Sequence, residues 1–103
     1  MNPKRINARN KGRRNEVKTQ QWLEARGWTV FRIFQPMYHK QGPIDMIAVS
    51  QDGCTTLFIQ SRTNQWGSLK ELRSLNVSQR TISQKEVWRW DDGATEPLSR
   101  MIP

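Results

Sequence analysis

Three consecutive segments constrain this chain more than any other feature: Ile44-Asp45-Met46-Ile47-Ala48-Val49, then Asp52-Gly53, then residues 54–62, rich in Thr, Leu, Phe and Ile. Two strand-like runs around a two-residue turn signal specify an antiparallel hairpin. The nearly unbroken apolar character of residues 44–49 marks a strand covered on both faces. A type I′ turn at Asp52-Gly53 puts Gln51 opposite Cys54, and the register then follows. Val49 faces Thr56, Ile47 faces Phe58, and Asp45 faces Gln60. Arg62 lies two residues beyond Gln60, on the same face and diagonal to Asp45. A carboxylate, an amide and a guanidinium are therefore expected together at the end of an otherwise apolar hairpin.

An aspartate in an apolar strand is costly unless a cation, a metal or hydrogen bonds match its charge. Two readings of Asp45 follow. One is a structural ion pair with Arg62. The other is an oxygen-ligand site for Mg²⁺ or Mn²⁺, joined by Glu16 from the first helix.

The remaining elements fall around this hairpin. Residues 10–26 are good helix formers stopped by Gly27, a natural C′ residue. Glu16 and Leu23 are seven apart and share a face, so a core-facing Leu23 puts Glu16 at the core edge. Residues 28–34 alternate well enough for a strand, and residues 35–43 form a loop. Ser68 and Glu71 have the spacing of a capping box at the start of a short helix over residues 69–75. Residues 85–90 and 98–102 read as two more strands around the Asp91-Asp92-Gly93 turn. Trp88 and Trp90 share one strand face, as core or as a dimer surface.

Charge points to the partner. Seventeen Lys and Arg against nine Asp and Glu leave +8 on 103 residues, an excess that favours a polyanion through phosphate contacts and counterion release. The first fourteen residues hold Lys4, Arg5, Arg9, Lys11, Arg13 and Arg14 and no acid. Residues 1–10 are expected as a mobile basic arm that grips phosphate, ahead of a single domain over residues 11–103. Lys40, in the loop before Asp45, is a further candidate DNA contact. One cysteine and one histidine exclude an internal disulfide and a zinc cluster. No apolar run is long enough to span a membrane and no leader is apparent, so an intracellular, reducing, cytoplasmic setting is expected. No phosphate-loop or acyl-enzyme motif is present. His39 is weighed as a base or phosphate ligand, and Tyr38 and Trp66 as platforms for unpaired bases.

A glutamate-bearing helix ending in Leu-Glu-Ala-Arg-Gly-Trp leads to a strand, then Gly42-Pro43-Ile44-Asp45, then the return Leu57-Phe58-Ile59-Gln60-Ser61-Arg62. This arrangement resembles the PD-(D/E)XK nuclease superfamily, specifically the small archaeal-type Holliday junction resolvases, over roughly residues 10–75. The resemblance implies an α/β, restriction-endonuclease-like domain, a mixed sheet flanked by helices. It also implies a homodimer that cuts four-way (branched) DNA with Mg²⁺ or Mn²⁺. Carried over by position, Glu16, Asp45, Gln60 and Arg62 are the catalytic set, with Glu16, Asp45 and Gln60 on the metal. Two of these depart from the family pattern. Gln60 replaces a carboxylate and coordinates without charge, though glutamine occurs here in some members. Arg62 replaces lysine; it can hold a phosphate but does not act as a base near neutral pH. An alternative reading is a junction-binding module on the same fold with weakened or lost catalysis.

Overall fold

The computed structural model describes residues 3–33, 42, 44–75 and 82–103, with side chains from Gly12 onward in the first helix and from Ser83 onward in the fourth strand. Chain order is α1 (Pro3–Glu24), β1 (Thr29–Arg32), β2 (Met46–Val49), β3 (Thr55–Thr63), α2 (Lys70–Ser74), β4 (Ile82–Trp90) and β5 (Leu98–Ile102). The strands form one mixed sheet in the order β1-β2-β3-β4-β5. β1, β2 and β3 form an antiparallel meander, β4 runs parallel to β3, and β5 returns antiparallel to β4.

α1 opens at Pro3, ahead of the expected start near residue 10. Proline suits a first helical turn, whose N–H groups have no intrahelical acceptor. Lys4, Arg5 and Arg9 thus lie on helical backbone where the sequence suggests a mobile arm, with Lys11 further along the same helix; their side chains are outside the described residues. The helix stops as anticipated. Gly27 takes φ +90°, the Trp28 N–H donates to Leu23 O at 3.1 Å and the Gly27 N–H to Glu24 O at 3.1 Å. These two bonds make a Schellman closure.

Strand alternation sorts the core into two layers. Met46, Ala48, Leu57, Ile59 and Trp88 pack with Leu23 of α1 on one face. Val87 and Ile102 pack with Leu69 and Leu72 around α2 on the other. Cover on both faces is why β2 reads as a continuous apolar run. Trp88 and Trp90 are both buried, and the Trp90 Nε1–H donates to Thr19 Oγ1 at 2.9 Å, tying α1 to the sheet. On the α2 face, buried Lys85 donates from Nζ to Arg73 O at 3.0 Å and Leu75 O at 3.1 Å. It caps the last carbonyls of α2 with a cation. The Ser68–Glu71 capping box does not form. The N-cap is Leu69, with no side-chain cap bond.

The β2–β3 register is the expected one: Val49↔Thr56, Ala48↔Leu57, Ile47↔Phe58, Met46↔Ile59. The turn that sets it is wider than a type I′ turn. Ser50 N–H donates to Thr55 O and Gly53 N–H to Ser50 O, both at 2.9 Å, and of the turn residues Gly53 alone has positive φ, +75°. A type I′ turn requires positive φ at Asp52 as well. Instead the Asp52 carboxylate accepts from Ser50 Oγ at 2.6 Å and from the Cys54 N–H at 2.9 Å. Those bonds, Ser50 first, hold its carboxyl below the usual range. Both kinds of bend are centred between Asp52 and Gly53, so the opposed residues are the same.

Candidate metal and nucleic-acid site

The β2–β3 ladder ends at Met46↔Ile59, one step short of Asp45 and Gln60. At that step the pairing slips. The Asp45 N–H donates to Ile59 O at 2.8 Å, while β1 continues alongside through the Ile33 N–H to Asp45 O at 2.9 Å. Carboxylate oxygen Oδ2 of Asp45 accepts the N–H of Ser61 at 2.7 Å. One oxygen of the strand aspartate is therefore committed to backbone beyond the end of the ladder.

Gln60 and Arg62 share a face of β3. Their parallel partners in β4 are Val87 and Arg89, and Val87 belongs to the α2-side core. Gln60 Oε1 is buried and has no hydrogen-bond partner among the described residues, and the same holds for Arg62 Nε. The Arg62 guanidinium lies along the chain that leads to α2, donating from Nη2 to Ser68 O at 3.0 Å. Gly67 packs against it and takes φ +64°, a backbone conformation that favours glycine. No Asp45–Arg62 salt bridge forms, which sets aside the ion-pair reading of Asp45.

Glu16 is engaged elsewhere. Its Oε2 accepts from Arg32 Nη2 at 2.9 Å, and Arg32 is paired with Met46 in the sheet, so the contact lies on the face that α1 covers. Glu16 is thus held on the α1 side of the sheet and Arg62 on the α2 side. Sequence position alone missed Arg32. Its parity with Val30, which packs into the α1-side core, was the available signal. Next to Glu16, buried Asn15 donates from Nδ2 to Thr63 Oγ1 at 2.7 Å and anchors the helix to the end of β3. Arg13 and Arg14 are exposed on α1. Tyr38, His39 and Lys40 lie outside the described residues.

Trp66 gathers charge rather than standing open. Arg89 Cζ lies 5.4 Å from its ring centroid and Arg100 Cζ lies 5.3 Å away, both within cation–π range. Arg89 also forms a two-point pair with Asp91, at 2.7 and 3.2 Å.

Among the described residues, no group of three or more His, Cys, Asp or Glu side chains stands ready for a metal. What could take a divalent ion is smaller: the buried Gln60 Oε1 and the Asp45 carboxylate, which is held by the amide of Ser61, the residue after Gln60, an oxygen-only set. Mg²⁺ accepts such sites, since it keeps several waters and takes one or two protein oxygens plus substrate phosphate. Glu16, bound to Arg32, does not belong to that set.

Compared with protein-family models, with curated proteins and with solved structures, the chain finds no match in any of the three. Among the described residues no helix is long and apolar enough to cross a membrane.

Proposed function

We propose that this chain is a metal-dependent, structure-selective DNA endonuclease on a restriction-endonuclease-like fold, acting as a homodimer on four-way junctions. The observation that carries the reading is the buried Gln60 Oε1, without a hydrogen-bond partner among the described residues, on the residue just before Ser61, whose amide holds the Asp45 carboxylate. A buried acceptor without a donor costs about 1–3 kcal/mol unless something else satisfies it, and a divalent cation would. The mixed sheet with a helix on each face and the charge of +8 support the same reading.

When bound at Asp45 and Gln60, Mg²⁺ or Mn²⁺ supplies Lewis-acid polarisation of a phosphoryl oxygen. The protein's own share is positional. The Ser61 N–H fixes the Asp45 carboxylate, and the Ser68 carbonyl fixes Arg62. Arg62 cannot take a proton near neutral pH, so its role is to hold the scissile phosphate and balance its charge. In this reading Glu16 orders α1 against β1 and does not hold the metal.

The test is cleavage of a synthetic four-way junction, against linear duplex, with and without Mg²⁺ or Mn²⁺. Metal-dependent cutting of the junction, abolished by Asp45→Ala and Gln60→Leu with binding retained, is the expected result. Linear duplex cut equally well removes the junction assignment.

A second reading has its own support. With Glu16 paired to Arg32, one Asp45 oxygen on the Ser61 amide and arginine in place of lysine, the same surface suits a junction-binding module without catalysis. Tight junction binding with no cleavage across a series of metals and pH values selects that reading.

A further inference from the structure

We infer that the surface built by Arg62, Arg89 and Arg100 around Trp66 is a binding track for the DNA sugar–phosphate backbone. The inference rests on the DNA reading above and names the surface that does the gripping.

Sheet register creates the cluster. Arg62 of β3 pairs with Arg89 of β4, and Arg100 of β5 pairs with Val87, two residues before Arg89 on the same face. Three neighbouring strands therefore present guanidiniums to the α2 side. Trp66 reaches in from the connection after β3 and lies within cation–π distance of Arg89 and Arg100. That connection is pinned at its start. Asn64, at φ +61°, accepts the Asp92 N–H at 2.7 Å and donates to the Asp92 carboxylate at 3.1 Å.

The charges do not balance. Asp91 pairs with Arg89, whereas among the described residues no carboxylate is within ion-pair distance of Arg62 or Arg100. Arg100 is exposed. Like charges held together in partly desolvated surroundings favour an anion that neutralises them. The ligand chemistry follows from the donors. Guanidinium forks match the oxygens of a phosphodiester. Three adjacent strands span two inter-strand spacings, about 10 Å, enough to meet neighbouring phosphates along one DNA strand. Trp66, weighed from sequence as either a stacking platform for a base or packing at the sheet edge, acts here as a positioning residue that holds two arginines in place. The track begins beside Gln60, two residues before Arg62.

The experiment measures binding of a four-way junction by the full chain as a function of salt, with cleavage recorded separately. Arg100→Gln is the central variant because the side chain is exposed and its loss leaves the core intact; an unchanged melting temperature checks this. Loss of one phosphate contact should lower the slope of log K against log salt by about 0.9, which corresponds to about eightfold weaker binding near 0.1 M salt. Arg100→Lys should recover most of the slope, since a point charge still releases the counterion. Trp66→Phe, which keeps an aromatic ring, should bind better than Trp66→Leu. An Arg100→Gln slope equal to wild type overturns the track and leaves the nuclease reading standing. A changed slope in a protein that never cleaves supports the track and sinks the nuclease reading. A wild-type chain that binds no DNA at low salt overturns both.

Discussion

The ion pair between Glu16 and Arg32 offers the sharpest test of which residues serve chemistry. The two side chains meet at 2.9 Å and are 20% and 27% exposed, Arg32 first. Two charges about 4 Å apart at an effective dielectric near 20 attract by about 4 kcal/mol. Desolvation offsets part of this, and fully exposed pairs retain only about 0.2–1 kcal/mol. A partly buried pair in this geometry should therefore couple by about 2 kcal/mol. Urea unfolding of Glu16→Gln, Arg32→Gln and the double variant yields that coupling directly. Arg32 has other interactions, so its own substitution costs more, but the cycle subtracts that increment. Glu16→Gln alone should lower Tm by roughly 8 °C, at about 4 °C per kcal/mol for a domain of this length. Junction cleavage by Glu16→Gln, assayed well below its Tm, should stay within a few-fold of wild type. A coupling below about 0.5 kcal/mol would refute the energetic argument. A hundredfold loss of cleavage in a folded Glu16→Gln protein would restore Glu16 to the reacting centre.

Further expectations concern the framework around the site. Lys85→Met keeps the apolar stem but strips the cap from Arg73 O and Leu75 O, so denaturant unfolding should show a loss of about 2 kcal/mol; a change under about 0.5 kcal/mol would mean that water replaces the ammonium. Burial pushes the half-buried Glu86 carboxyl above its ordinary 4.5, partly countered by the Trp88 indole N–H. The folded state then holds this proton more tightly than the unfolded chain, so the associated stability is complete below pH 4.5 and lost as pH rises through the folded value. Glu86→Gln keeps an acceptor for Trp88, so it should raise Tm at neutral pH and remove that part of the pH dependence; an unchanged Tm–pH curve would contradict the assignment. At Gly53 a Cβ meets nothing within 4 Å but φ is +75°, so Gly53→Ala should cost about 1 kcal/mol through backbone strain alone, visible as a Tm drop without loss of DNA binding.

Much of the hairpin was legible because strand parity has a period of two and the bend has one centre. Asp52 and Gly53 mark that centre whichever turn closes it, so Val49↔Thr56 and Ile47↔Phe58 hold although the bend is wider than a type I′ turn. The stop of α1 was legible for a similar reason: Gly27 supplies a backbone conformation that other residues adopt at a cost. The capping box was misread because a local motif competes with tertiary demands. Leu69 and Leu72 are buried against Val87, and that packing starts the helix at Lys70. The facing of Asp45 and Gln60 that the hairpin register predicts falls one step past the last pair of the ladder, Met46↔Ile59, where the pairing slips. The slip that gives the Asp45 carboxylate to the Ser61 amide belongs to the geometry at the end of a ladder.

By itself the amino-acid order determined the positions of the strands, the facing residues of the β2–β3 hairpin and the site of chain reversal, all of which depend on neighbours a few residues apart, and the excess of positive charge, which is composition alone. Only the folded arrangement decided that Glu16 meets Arg32, that Lys85 closes α2, and that Arg62, Arg89 and Arg100 share one face with Trp66. Each of those meetings depends on which strand lies beside which and which helix covers which face. The parallel placement of β4 beside β3 and the return of β5 are long-range choices, fixed by burial of the whole sheet and not by any local run of residues.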